Sequence, residues 1–174
     1  PVALGRARAA EIVRLAADPE GGVVELGGGV EARIEHGHVR FAAGAEPDPG
    51  EALLTVPGSC RFGRWEVRAS LRERPPAPED PDTALLDPER IDSPLVVRAW
   101  RDGDRIRPLG LGGGKSLQDV FTDRKVPRSL RRTLPVVTSG GRIAWVAGVV
   151  VSQEFAPPPG AGRAAVLTAA RVAP

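Results

Sequence analysis

The chain reads as an α+β protein dominated by strands, and three observations predict this. Most of its apolar runs alternate with a period of two. Its 18 Pro and 21 Gly in 174 residues call for many turns between short elements. Helical spacing is confined to the first 17 residues and to two short stretches after position 115.

Taken in order, residues 2–17 favour helix through their Ala, Leu, Arg and Glu content. Ile12, Val13, Leu15 and Ala16 supply an apolar face, and Asp18-Pro19 with Gly21-Gly22 ends it. From Val23 the period becomes two. Residues 23–26, 30–34 and 39–42 read as a small antiparallel meander, and 52–56 as another short strand. The cleanest alternation runs from Arg64 to Arg72. Trp65, Val67, Ala69 and Leu71 face one way; Glu66, Arg68 and Ser70 face the other with the two flanking arginines. Residues 74–82 hold four prolines among acids, which suits a loop or linker and not a sheet interior. A short strand at 84–86 follows, then an apolar strand from Leu95 to Trp100 that turns at Asp102-Gly103. The glycine loop Gly110–Gly114 delivers Lys115-Ser116 to a short helical pattern. That pattern breaks at Val126-Pro127 and resumes through Arg128, Arg131 and Arg132. Strands at 135–138 and 142–151, a proline loop at 156–162 and a last strand at 164–169 complete the chain.

Composition bounds the possibilities. With 41% hydrophobic and 26% charged residues, the chain is of ordinary globular make-up. Its length suits one medium domain or two small ones. No apolar run approaches the ~20 residues that cross a bilayer, and no basic-then-apolar leader is present, so the expected location is cytoplasmic, with no membrane partner. Cys60 stands alone, which suits a reducing compartment. A start at Pro1 and the lack of any Met suggest a piece of a longer protein. Charge is concentrated: from Arg98 to Arg132, ten Lys or Arg stand against four Asp, a local +6 in a chain of +2. Such asymmetry points to a polyanionic partner.

Several tempting motifs fail on their chemistry. The run GLGGGKS lacks the first glycine of a nucleotide-binding P-loop, because position 109 is Leu109, and Pro127 cuts short the helix that should follow. Ser139-Gly140-Gly141 lies between two strand patterns and reads as a hairpin turn. His36 and His38 flank a glycine without a third ligand, so no metal site is expected. Trp65, Trp100 and Trp145 sit in strand patterns and default to core packing. No nucleophile–base set and no catalytic carboxylate pair is visible. Asp104 reads as a turn former and ion-pair partner that fixes an arginine, leaving Arg101 or Arg105 to contact phosphate. Arg128, Arg131 and Arg132 share a helical face if Pro127 is the first helical residue, and no acid occurs from Arg124 to Arg132.

The stretch from Leu95 to Val151 resembles the C-terminal domain of the tRNA(Ile)-lysidine synthetase family. It carries R-x-x-R-x-G-D-R-x-x-P from Arg98 to Pro108 and G-K-S-L-Q-D-V-F-T-D-R-K-V-P from Gly114 to Pro127. Pro135 and an I-x-W-V-x-G pattern from Ile143 to Gly148 follow. The resemblance implies a leading helix and small β unit at 1–74, a proline-rich linker and turn at 75–94, and a β-sandwich or barrel-like domain with one or two short helices at 95–174. Such enzymes convert the wobble cytidine of a CAU anticodon to lysidine with ATP and lysine. ATP and Mg2+ are implied only for an N-terminal catalytic domain absent from this chain, so no catalytic residue and no cofactor is expected here, and the chain alone should be inactive. The expected partners are tRNA(Ile) with its CAU anticodon, bound along the acceptor stem through backbone phosphates, and that catalytic domain. Arg101, Arg105, Lys115, Lys125, Arg128, Arg131 and Arg132 are the expected RNA contacts; Asp104, Pro127 and Trp145 are expected to be structural. The alternative is a structural or homodimerisation β-module that does not bind RNA by itself.

Overall fold

The computed structural model describes residues 5–18, 20–27, 30–35, 37–43 and 49–172. The chain divides into two compact units, Pro1–Pro47 and Asp48–Pro174. In the first, helix α1 (Arg6–Ala16) accompanies a meander of β1 (Gly22–Gly27), β2 (Val30–Glu35) and β3 (His38–Ala43), paired in that order. Alternation buries Val24 and Leu26 of β1 with Ala32 and Ile34 of β2, and Ile12 of α1 closes this small core. Gly22 permits the close approach of helix and strand: a Cβ there would lie 2.9 Å from Cδ1 of Leu15. Val13, expected on the apolar face, points outward and is 70% exposed. It is adjacent in sequence to Ile12, and neighbouring helical positions are about 100° apart around the axis.

The second unit is a β-sandwich. One sheet has the order β13 (Val150–Val151), β12 (Arg142–Val146), β11 (Val136–Ser139), β8 (Leu95–Arg98), β4 (Glu51–Leu54). The other has the order β5 (Gly58–Phe62), β6 (Trp65–Glu73), β14 (Arg163–Arg171), β7 (Thr83–Leu86). A single core joins them, with Phe62, Val67 and Leu167 from the second sheet and Val97, Val137 and Trp145 from the first. Strand β6 shows the alternation that its sequence predicts: Trp65, Val67 and Ala69 are buried, and Arg68 is exposed. Cys60 lies at the margin of this core, where burial pushes its thiol above its ordinary value.

The expected boundary near the proline stretch is misplaced. Residues 74–82 form a loop inside the second unit, joining β6 to β7, which flank the same strand β14. Its carbonyls are used: Pro81 accepts from the Gly148 N–H at 3.2 Å and Asp82 from the Ala169 N–H at 2.9 Å. Strands β4 to β6, assigned above to the leading subdomain, therefore belong to the sandwich.

One edge of the sandwich carries a two-stranded ribbon, β9 (Arg105–Ile106) with β10 (Lys115–Ser116), and two short helices, α2 (Leu117–Asp123) and α3 (Arg128–Arg131). The Ser116 hydroxyl caps α2, accepting from the Asp119 N–H at 3.1 Å and donating to the Asp119 carboxylate at 2.6 Å. Leu117, Val120 and Phe121 bury one face of the helix. Gly140 and Gly141, at φ +53° and +78°, make the tight turn between β11 and β12.

Candidate nucleic-acid interface

The basic stretch is sorted by its partners. Arg98 on β8 is buried, and Asp104, delivered by the turn at Asp102-Gly103, meets it with two bonds of 2.8 Å. The Arg101 N–H donates a further 2.9 Å bond to the same carboxylate. Burial pushes the Asp104 carboxyl up, but the hydrogen bonds from Arg98 and Arg101 and their charges outweigh it. The carboxyl therefore lies below its ordinary value of 3.8.

Of the seven expected contacts, two are held by carboxylates. The Arg101 guanidinium meets Glu51 at 2.6 Å, and the Lys115 ammonium bonds Asp123. Arg131 turns inward, donating from Nε to the Val126 carbonyl at 3.1 Å and lying 5.7 Å over the Phe121 ring. Arg132 is exposed, 5.9 Å over the Trp100 ring, which meets Phe121 edge-on at 5.8 Å. Two arginines thus bracket an aromatic pair. Arg105 and Lys125 are exposed and form no ion pair among the described residues, and the same is true of Arg124, which sequence reasoning passed over. The side chain of Arg128 lies outside the described residues, as does His36.

The expected helical start at Pro127 needs correction, while the face that Arg128 was expected to share with Arg131 and Arg132 lies outside the described residues. Pro127 has an extended backbone (φ −56°, ψ 140°) and precedes the helix instead of opening it, so α3 is a single turn from Arg128 to Arg131. Arg131 turns into the corner and Arg132 into solvent, as adjacent helical positions about 100° apart do.

Lys125 sits where the backbone favours glycine. Its N–H bonds the Thr122 carbonyl at 3.0 Å, and the Val126 N–H bonds the Phe121 carbonyl at 2.8 Å, which is the paired closure of a Schellman motif. The residue at its centre is left-handed, and Lys125 has φ +55°. A side chain there costs about 1 kcal/mol relative to glycine. Lys125→Gly is therefore expected to raise stability by about 0.5–1 kcal/mol in urea unfolding, and a loss of stability would show that the lysine stem packs usefully.

The glycine loop does not cradle a nucleotide. The Gly110 N–H is bonded to the Gln153 side chain at 3.3 Å and the Gly113 N–H to the Leu111 carbonyl at 2.8 Å, while Lys115 is engaged in the ribbon and α2 has seven residues. Among the described residues no group of three or more His, Cys, Asp or Glu side chains could hold a metal ion, and no helix is long and apolar enough to cross a membrane.

A second cluster of cations escaped the sequence reading. Arg90, Arg107 and Arg142 come from three separate segments and gather around Glu154. Only Arg107 lies within the concentrated basic run, and no local spacing links the four positions.

Comparison with known proteins places this architecture. A family described as the TilS substrate C-terminal domain matches residues 95–167. The tRNA(Ile)-lysidine synthase of Symbiobacterium thermophilum is 36% identical over 159 residues, covering 85% of this chain and 33% of that protein. That of Geobacter sulfurreducens is 47% identical over 105 residues, covering 59% of this chain and 22% of that protein. The crystal structure of a TilS C-terminal domain superposes with a TM-score of 0.57 at 32% identity, covering 75% of this chain and 96% of that one. The chain belongs to the C-terminal domain family of the tRNA(Ile)-lysidine synthases. It spans about a third or less of the length of these two full-length relatives.

Proposed function

We propose that this chain holds tRNA for a lysidine synthase. The observation that carries this reading is the corner of α2 and α3, where Arg124, Lys125 and Arg132 are exposed with no carboxylate partner among the described residues. Exposed cations left unpaired in a segment of net charge +6 suit a polyanion, and backbone phosphates are read without regard to sequence. The names of the relatives point to tRNA(Ile) as the RNA; on this reading the CAU anticodon is handled by a catalytic domain outside this chain and the acceptor stem rests here. ATP and magnesium belong to that domain on this reading, and the setting is cytoplasmic. What this chain contributes is position. Arg132 lies 5.9 Å over the Trp100 ring, and Lys125 takes the left-handed closing position of α2, so packing and backbone set where the two charges emerge.

A titration with CAU-bearing tRNA(Ile) between 50 and 200 mM salt tests it. Affinity is expected to fall steeply with salt, with a log–log slope of about −0.9 per duplex phosphate contacted. The triple variant Arg124→Ala, Lys125→Ala, Arg132→Ala is expected to lose at least about tenfold in affinity and to flatten the slope by up to about three. Absence of salt-dependent binding by the folded wild type would favour a structural or dimerisation module instead.

A further inference from the structure

The cluster around Glu154 shares no residue with the α2–α3 corner. Arg107 follows β9, and Arg142 opens β12. Glu154 Oε1 lies 3.9 Å from Arg107 Nη1, and its Oε2 lies 3.5 Å from Arg142 Nη1. Arg90 donates from Nη1 to the Glu154 carbonyl at 3.1 Å and pairs with Asp87 at 3.2 Å. Arg105 lines the same open groove, of about 380 Å³, whose wall includes Ile106 and Ile143. Three glycines border it, Gly103, Gly114 and Gly141. A Cβ at Gly103 or Gly141 would meet nothing within 4 Å, and one at Gly114 would only reach Arg107 Cγ at 4.0 Å. Backbone and cations are therefore open to a ligand along the length of the groove.

Two features make this a seat for an external anion and not a saturated ion pair. Charge-assisted N–H···O bonds run about 2.7–2.9 Å, whereas both contacts to Glu154 are much longer. The two guanidiniums are 63% and 61% exposed, so solvent weakens what attraction remains. The count also leaves positive charge over. Within the groove Arg105, Arg107 and Arg142 stand with Glu154, because its other acid, Asp104, is committed to Arg98; Glu89 and Asp92 line the adjoining recess on the Arg90 side. The two carboxylate oxygens mark where a forked anion would sit between the guanidiniums. A phosphodiester presents the same fork through its two non-bridging oxygens. Arg142 is braced for the purpose by the Phe155 ring, 5.1 Å away.

We propose that the groove between β9 and β12 is a second phosphodiester seat, in which a phosphate of a nucleic-acid backbone displaces the Glu154 carboxylate from Arg107 and Arg142. The proposal rests on the reading of this chain as RNA-binding, yet it shares no residue with the α2–α3 corner. Glu154 acts as a placeholder. It keeps the two arginines apart and in place when no RNA is bound, and it sets how much attraction an incoming phosphate must supply.

The test measures tRNA binding across salt for the wild-type chain, Glu154→Gln and the Arg107→Ala, Arg142→Ala pair, alone and combined, with thermal melts beside them. Removing the competing charge is expected to tighten binding about three- to fivefold, the scale of one exposed ion pair. The arginine pair is expected to weaken binding, to flatten the salt slope by about one to two, and to abolish the gain from Glu154→Gln. Gly114→Asp, at a position without left-handed backbone, is expected to weaken binding while the melt stays in place. Unchanged or weaker binding by Glu154→Gln, with salt-dependent binding intact in the wild type, overturns the second seat and leaves the α2–α3 corner standing. No RNA binding by the folded wild type at low salt overturns both. Millimolar inorganic phosphate that raises the melt of the wild type but not of the Arg107→Ala, Arg142→Ala pair, while that pair binds tRNA as the wild type does, would show a free-phosphate site and overturn the assignment to a nucleic-acid backbone.

Discussion

Asp104→Ala is expected to destabilise the second unit by about 3–5 kcal/mol, the largest loss foreseen for a single charged residue. Arg98 is 7% exposed, and Asp104 takes both of its terminal nitrogens while also receiving the Arg101 N–H. Removing the carboxylate strands a buried guanidinium and opens the turn that delivers β9. The cost is that of an uncompensated charge, not of the pair as such. The double replacement Arg98→Met, Asp104→Leu should accordingly recover much of the loss, since apolar side chains of similar size avoid the desolvation altogether. Urea denaturation of the three variants separates these terms, and a double variant no better than Asp104→Ala would show that the pair contributes net stability. The pair also predicts acid sensitivity. Because folding lowers the Asp104 carboxyl, its contribution is complete above its unfolded value near 3.8 and is lost as pH falls through the lower folded value. That acid-dependent component should vanish in the double variant.

Trp145→Ala is expected to cost a similar 3–5 kcal/mol, for a different reason. Trp145 is wholly buried on β12 within the core shared by the two sheets, and its removal leaves a large cavity. The indole N–H has no hydrogen-bond partner among the described residues. Trp145→Phe keeps most of the packing and discards that unpaired donor, whose burial costs about 1–3 kcal/mol. It should stay within about 1–2 kcal/mol of wild type. Thermal melts decide: a Phe variant as damaged as the Ala variant would mean that the second ring is indispensable to the packing.

What was legible in the sequence follows the range of the interactions concerned. Local periodicity revealed α1, the meander and the face of β6, because alternation and helical spacing reflect burial within one element. The cap of α2 is equally local, Ser116 and Asp119 being three residues apart, although the sequence reading did not name it. The division of the chain was not. Proline density suggested a break at 74–82, yet whether a loop separates domains depends on where the next strands pair, and both β6 and β7 pair with β14. Among the basic residues, composition showed that charge was concentrated, but the partners that neutralise it are distant: Glu51 for Arg101, and Glu154 for Arg107 and Arg142. The inward turn of Arg131 was not legible either, because it depends on the packing of α3 against Phe121 and the Val126 carbonyl.

The position of β14 has a consequence for how the chain is made. It is the last strand in sequence, and it lies inside its sheet with β6 on one side and β7 on the other. Val67 must wait for Ala169, and Leu86 for Ala165. During synthesis β6 and β7 emerge with unsatisfied edges and remain so until β14 has left the ribosome, a long-range closure of the kind that folds slowly. A ribosome paused ahead of Arg163 would therefore hold a nascent chain whose open edges invite pairing with a neighbour.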